Sequence, residues 1–374
     1  MHPYENLGKE SFWATAVAKP NMFEIEHLWE PKFNIGERHK VVAFGSCFAQ
    51  HFGRALKARG YEWLITEPAP FGLSEENAKR FNYGVFSART GNIYTVSLLK
   101  QWVDWAAGGS SVPEETWSAN GRFYDPFRPN IEPDGFESQT EMIASRELAI
   151  EAFGKAIKSA NVFVFTLGLT ESWHNREHDY EYPMCPGTVA GQYDPQNHQF
   201  INQTYPFIRK TLRIAIQRIR ALNPEIKFLV TVSPVPLTAT MSGNHVLVAT
   251  MESKSILRAV AGNIAREIEY VDYFPSYEII NAPPFRGIFF ESNLRSVSKT
   301  GVDHVMNTFF AGLNRKFRPD AATLPAPATG KTGGRPGRGG RRRNRMKLRQ
   351  AATDDARNAE VVCEEELLEA FASH

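Results

Sequence analysis

Apolar residues gather along this chain in five short runs: Lys40–Phe44, Tyr61–Thr66, Asn161–Leu167, Lys227–Val232 and Glu269–Tyr273. Each is too short for a helix and rich in β-branched or aromatic residues, so each predicts a strand. Between most of them the period changes to that of an amphipathic helix. Ala49–Arg59 follows the first run, and Glu141–Ser159, Phe207–Leu222 and Glu252–Glu267 precede the last three. Phe207–Leu222 stops at Asn223-Pro224, and Ser298–Phe310 closes the pattern with Ser298 as N-cap.

Strands alternating with helices imply parallel βαβ units beneath two helical layers. Val162-Phe163-Val164-Phe165 is apolar without alternation, as a strand buried on both faces must be. The expected fold is an α/β protein, a three-layer α/β/α sandwich of about five parallel strands. Ligands in such sheets lie at the carboxyl ends of the strands. Two stretches are long for simple connections, Phe71 to about Pro133 and Trp173 to about Tyr205. They are expected as loop insertions that cover the site or bind substrate.

Charge divides the 374-residue chain. Residues 331–349 hold nine Lys or Arg and no acid, while 352–374 hold seven acids and one Arg. The first 330 residues then keep 33 basic and 34 acidic residues, so the net charge of +2 describes the tail. Three parts follow: an N-terminal extension (1–34), a catalytic-type domain (35–317) and a tail (318–374). The tail is read as a disordered linker, an Arg/Gly-rich tract and a short acidic helix at Glu360–Phe371. Residues beyond about 321 are expected to be mobile and dispensable for the core. The basic tract could meet nucleic acid or another anionic surface without sequence preference. It lacks the aromatic residues that stack on bases.

Three cysteines, Cys47, Cys185 and Cys363, make neither a disulfide framework nor a zinc spacing. No cofactor or metal is expected. No stretch is apolar enough for a signal peptide or a membrane span, and the reading is cytoplasmic.

The chemistry centres on Phe44-Gly45-Ser46-Cys47-Phe48-Ala49, where the first strand turns into the first helix. Gly45 permits a tight turn. Ser46 stands where helix N–H groups favour negative charge, so it could attack a carbonyl and hold the oxyanion. It could equally be a plain N-cap. Cys47, one position further on, is expected to pack as a small hydrophobe.

Gly45-Ser46-Cys47-Phe48-Ala49 is the signature of the GSCFA family, which resembles the SGNH hydrolases in fold. The resemblance extends over most of residues 35–317. It includes Pro70-Phe71-Gly72, Phe165 to Trp173, Ser233-Pro234-Val235, Ser253-Lys254-Ser255 and Tyr273-Phe274-Pro275-Ser276-Tyr277-Glu278. It implies Ser46 as nucleophile, the amides of Gly72 and Ser46 as oxyanion donors, and Gly168-Leu169-Thr170 in the place of Gly-x-Asn. Thr170 would then replace the usual amide donor. Glu171 could orient a histidine or bind a hydroxyl, and Trp173 would border the substrate.

The pattern breaks at the last block, where SGNH enzymes carry Asp-x-x-His. Asn293 and Ser296 fill those slots here, and neither is a base at neutral pH. His304 lies eight residues past Ser296, on the final helix. His245 follows a core strand and a Gly-containing loop, and is the expected base, with His174 or His178 behind it.

The expectation is a serine esterase or acyltransferase acting on an acylated carbohydrate or related ester. Two other classes remain open. One is a catalytically impaired binding protein on the same scaffold, and the other a nucleic-acid-associated factor acting through the basic tract.

Overall fold

A computed structural model describes residues 2–319 and 363–372. Four parallel strands form the central sheet in the order β1 (Val41–Gly45), β4 (Val162–Leu167), β8 (Lys227–Val232), β9 (Val271–Tyr273). Side chains alternate between two separate cores. Val42, Phe44, Phe163, Phe165 and Leu167 enter one, while Val41, Ala43, Val162 and Val164 enter the other. That division is why the runs are apolar throughout: each face of the pleat meets its own helical layer.

The first layer consists of α3 (Val96–Ala106), α4 (Gln139–Ser159), α5 (Tyr205–Leu222) and α6 (Val246–Glu267). On the other side lie α1 (Ala49–Ala58), α7 (Ser276–Asn281) and α8 (Lys299–Phe317). The three-layer α/β/α sandwich is therefore present. Trp29 belongs to the second core and stacks on Phe309 at 5.2 Å, so part of the N-terminal extension is built into the domain.

Tyr61–Thr66 does not become a fifth strand. Trp63 forms a single parallel bridge with Val41, through Val41 N–H to the Glu62 carbonyl and Leu64 N–H to the Val41 carbonyl. Thr66 then turns away to donate to Ser87.

The long connections carry structure of their own. Residues 71–133 hold α2 (Glu75–Arg80), α3 and a hairpin of β2 (Trp117–Ala119) and β3 (Arg122–Tyr124). A three-stranded antiparallel sheet, β6 (Tyr180–Tyr182), β5 (Glu171–Asn175), β7 (His198–Asn202), organises the second stretch. Asp125, fully buried, accepts from Arg128 Nε at 2.7 Å and Arg146 Nε at 3.0 Å, tying the first insertion to α4.

The expectation of a free tail fails for the described part of it. Glu364–Phe371 form a 3-10 helix that packs on the body, and Glu364 is buried. The linker and the basic tract 331–349 lie outside the described residues. Among the described residues no helix is long and apolar enough to cross a membrane.

Candidate functional site

β1 ends in Gly45 at φ 128°, where a Cβ would stand 2.3 Å from the Thr166 carbonyl oxygen. Only glycine lets the chain pass so close to β4 and turn. Ser46 follows, its N–H donating to the Thr166 carbonyl at 3.0 Å and its carbonyl accepting from Ala49 N–H at 2.9 Å. It sits at the carboxyl end of the strand, in the turn that opens α1. It is not an N-cap, because its side chain accepts no helix N–H. Its Oγ is buried and has no hydrogen-bond partner among the described residues. A buried hydroxyl without a partner costs about 1–3 kcal/mol, so its retention calls for an explanation.

The Ser46 hydroxyl borders a cavity that it shares with Cys47, Tyr94, Gly168, Ser233 and Lys254. Gly168 brings the far wall close: a Cβ there would stand 3.1 Å from the Ser46 Cβ and 2.9 Å from the Tyr94 carbonyl oxygen. Asn92–Tyr94 are held across the strand ends by Ile93 N–H to the Gly45 carbonyl and Gly168 N–H to the Tyr94 carbonyl, both 2.9 Å.

Lys254 reaches in from α6, almost fully buried, and donates to the Gly168 carbonyl at 2.5 Å. Burial, aided by the Arg295 charge, pulls its ammonium down to about 8, against the opposing pull of Glu365. Near neutral pH this lysine is therefore neutral in an appreciable fraction of molecules. Cys47 is pushed the other way: a hydrogen bond with Cys363 and burial hold it well above the usual thiol range. It stays a thiol, which is a poor nucleophile.

The residues expected around Ser46 are distributed otherwise. Gly168 lines the cavity, but its N–H and that of Ser46 are spent on carbonyls. Thr170 donates its N–H to Ser253 Oγ at 3.1 Å and its hydroxyl to Asn202 at 2.6 Å. Gly72 is exposed at φ 85° and does not line the cavity. Glu171 accepts from Thr240 Oγ1 at 2.5 Å and Met241 N–H at 3.3 Å, and burial raises its pKa. Trp173 packs its ring on Tyr193 and Phe200. Asn293 accepts from the N–H groups of Arg295 and Ser296 and donates to Ser296 Oγ at 2.9 Å, closing a tight turn. The residue that turn presents inward is Arg295.

Among the described residues no histidine lines this cavity. His245 is exposed and caps α6, with Nδ1 accepting from Leu247 N–H at 3.2 Å. His304 stacks on Phe289 at 4.9 Å in the second core. His174 and His178 line a different, larger cleft of about 1030 Å³ that has no lining residue in common with the Ser46 cavity. There His174 Nε2 lies 3.0 Å from Ser172 Oγ and 3.4 Å from Glu181, whose carboxyl burial pushes up to about 7.

The model of the GSCFA family matches residues 40–309. The chain belongs to the GSCFA family. The matched span of this GSCFA protein contains Ser46, Gly168 and Lys254, and all four strands of the central sheet. A comparison with curated proteins found no match.

Sequence reasoning passed over Tyr94, Lys254 and Arg295. Lys254 was visible inside Ser253-Lys254-Ser255, where the presence of a lysine on the apolar face of a helix was the available signal. Arg295 stood between the two slots examined for an acid and a base.

Proposed function

We propose that this GSCFA protein is a serine-dependent esterase or acyltransferase in which Lys254, rather than a histidine, serves Ser46 as base. One observation carries the reading: a buried Ser46 Oγ without a partner shares a small cavity with a buried lysine whose pKa lies at about 8. Serine needs a neighbouring group to take its proton, and a desolvated lysine does this in Ser–Lys arrangements on unrelated folds.

In this mechanism neutral Lys254 accepts the Ser46 proton as Oγ bonds to the ester carbonyl carbon. The Lys254 ammonium then protonates the departing alkoxide, leaving an acyl-serine. Water or an acceptor alcohol, deprotonated by the same amine, releases the acyl group. The N–H of Ser46 is spent on Thr166, so the N–H groups of Cys47 and Phe48, which precede the first turn's carbonyl acceptors, are the ones to hold the oxyanion. For the alcohol portion we keep the acylated carbohydrate that the resemblance implies. Comparing acetylated sugars with simple alkyl esters tests that part separately.

A fluorophosphonate probe tests the chemistry, since it captures a serine nucleophile irreversibly. Labelling at Ser46, absent in Ser46→Ala and sharply reduced in Lys254→Met, is the expected result. An unreactive Ser46 in protein whose cavity has been opened contradicts it.

A second reading is favoured by one feature, the near absence of free space beside Ser46. The cavity holds about 10 Å³, about enough for one water at most. A protein that binds a ligand there without turning it over would show saturable ligand binding and no ester hydrolysis.

A further inference from the structure

One wall of the Ser46 cavity is supplied by the segment Cys363–Phe371. Glu365 is one of the cavity's lining residues. Beside it the Glu364 carboxylate is buried and received as a ligand would be, by Asn92 Nδ2 at 2.6 Å and the Tyr94 hydroxyl at 3.0 Å. The approach is close, since a Cβ on Gly91 would stand 3.3 Å from Glu364 Oε1.

Arg295 completes the reception. Its guanidinium, only 8% exposed, lies 3.4 Å from Glu365 and 3.2 Å from Glu366, and donates to Cys363 Sγ at 3.7 Å. Cys363 also lies within hydrogen-bonding reach of Cys47, the neighbour of Ser46. Leu367 and Phe371, on the same helix, stay exposed, so the contact is made by acids rather than by an apolar face.

The charges explain the choice. Without the segment, Arg295 would lose the Glu365 and Glu366 carboxylates beside it, and Lys254 would line the cavity with Tyr94 but without Glu365. A buried cation lacking an anion is costly, so such a cleft selects carboxylates.

We propose that the Ser46 cavity is a binding site for acidic peptide, and that Cys363–Phe371 is its tethered occupant, which covers Ser46 and gives way to an acidic ligand from outside. The proposal rests on the reading of the Ser46 cavity as the functional site, but not on its chemistry. A competitor in trans must match an occupant carried on the same chain, which calls for peptide at roughly millimolar concentration.

The test uses the full-length chain and its double variant Glu364→Lys/Glu365→Lys, with folding checked by near-ultraviolet circular dichroism. Alkylation of Cys47 by iodoacetamide is followed by mass spectrometry, with Cys185 as internal reference. The expected result is protection of Cys47 in the wild type and alkylation about tenfold faster or more in the variant, since a tethered ligand near millimolar is displaced. A synthetic peptide of residues 360–374, added at about 1 mM to match the tethered concentration, should restore protection. The same peptide with both acids replaced by Gln should not. A fluorescein-labelled copy should bind the variant more tightly than the wild type.

Equal Cys47 reactivity in the two folded proteins, or failure of the acidic peptide to protect, overturns the proposal. The fluorophosphonate probe separates the two readings. Equal labelling of Ser46 in both proteins keeps the enzyme and removes the tethered ligand. An inert Ser46 in a variant whose Cys47 has become reactive does the reverse.

Discussion

Lys254 Nζ donates to the Gly168 carbonyl at 2.5 Å, and that hydrogen bond fixes the amine at the strand ends where Ser46 stands. The bond joins α6 to β4 across 86 residues of sequence. Burial at this position, not the bond, costs the lysine much of its affinity for a proton. The site is therefore built from a serine that lacks a partner and an amine that is readily deprotonated.

Replacing Lys254 by Met keeps the bulk of the side chain and removes the base. Reactivity of Ser46 toward a fluorophosphonate should fall by about 10² to 10⁴, the usual contribution of a positioned base. The Gly168 carbonyl loses its donor, so some stability goes too, about 1–3 kcal/mol for one buried acceptor. Urea denaturation measures the second effect independently of the first. Unchanged labelling in folded Lys254→Met would remove the lysine from the mechanism.

Gly168→Ala places a methyl 2.9 Å from the Tyr94 carbonyl and 3.1 Å from the Ser46 Cβ. Both neighbours are held by backbone hydrogen bonds, Ser46 N–H to the Thr166 carbonyl and Gly168 N–H to the Tyr94 carbonyl, and must shift. Overpacking of this kind costs about 1–3 kcal/mol. We expect a lowered urea midpoint with an unchanged slope, together with weaker labelling of Ser46.

Asp125 carries no chemistry in this account, and its replacement separates scaffold from site. Burial would raise its carboxyl, but the Arg146 and Arg128 guanidiniums beside it outweigh that and hold the pKa below the usual carboxylate value. A lowered pKa supplies stability that is present above the unfolded value of 3.8 and is lost as pH falls through the folded one. Asp125→Asn leaves two buried cations unmatched and should cost about 3–5 kcal/mol at neutral pH, as broken buried pairs do. Part of that difference should vanish on acidification below 3.8. Thermal melts at pH 7 and pH 3 measure both.

The sheet was legible in sequence because burial on both faces leaves a local trace, an unbroken apolar run such as Val162–Leu167. Tyr61–Thr66 has a similar composition, yet it lies at the edge beside β1 and keeps only one bridge. α3 was missed although Ser97, Lys100, Gln101 and Asp104 recur at helical spacing along Val96–Ala106, because it lies inside the stretch from Phe71 to about Pro133 that reads as one loop insertion. Ser46 could be found because one turn, Gly45 to Ala49, carries it. Lys254 and Arg295 reach it only through the fold. Glu364 joins it from the far side of the basic tract, pairing with Asn92 across 272 residues. Periodicity records the face a residue lies on, not the distant partner it will meet.

The central claim is that Lys254 activates Ser46, and the pH dependence of Ser46 labelling tests it most directly. The measurement is the rate of fluorophosphonate capture at Ser46 by mass spectrometry, from pH 6 to 10, on Glu364→Lys/Glu365→Lys protein with the cavity open. Lys254 must be neutral to act, so the rate should rise with pH. The midpoint should lie below the ordinary lysine value of 10.5 and closer to it the more water the opened cavity admits, since burial is the main cause of the lowering. The rise should vanish when Lys254→Met is added to the same protein. A flat profile, or a rise that survives without Lys254, would contradict the account.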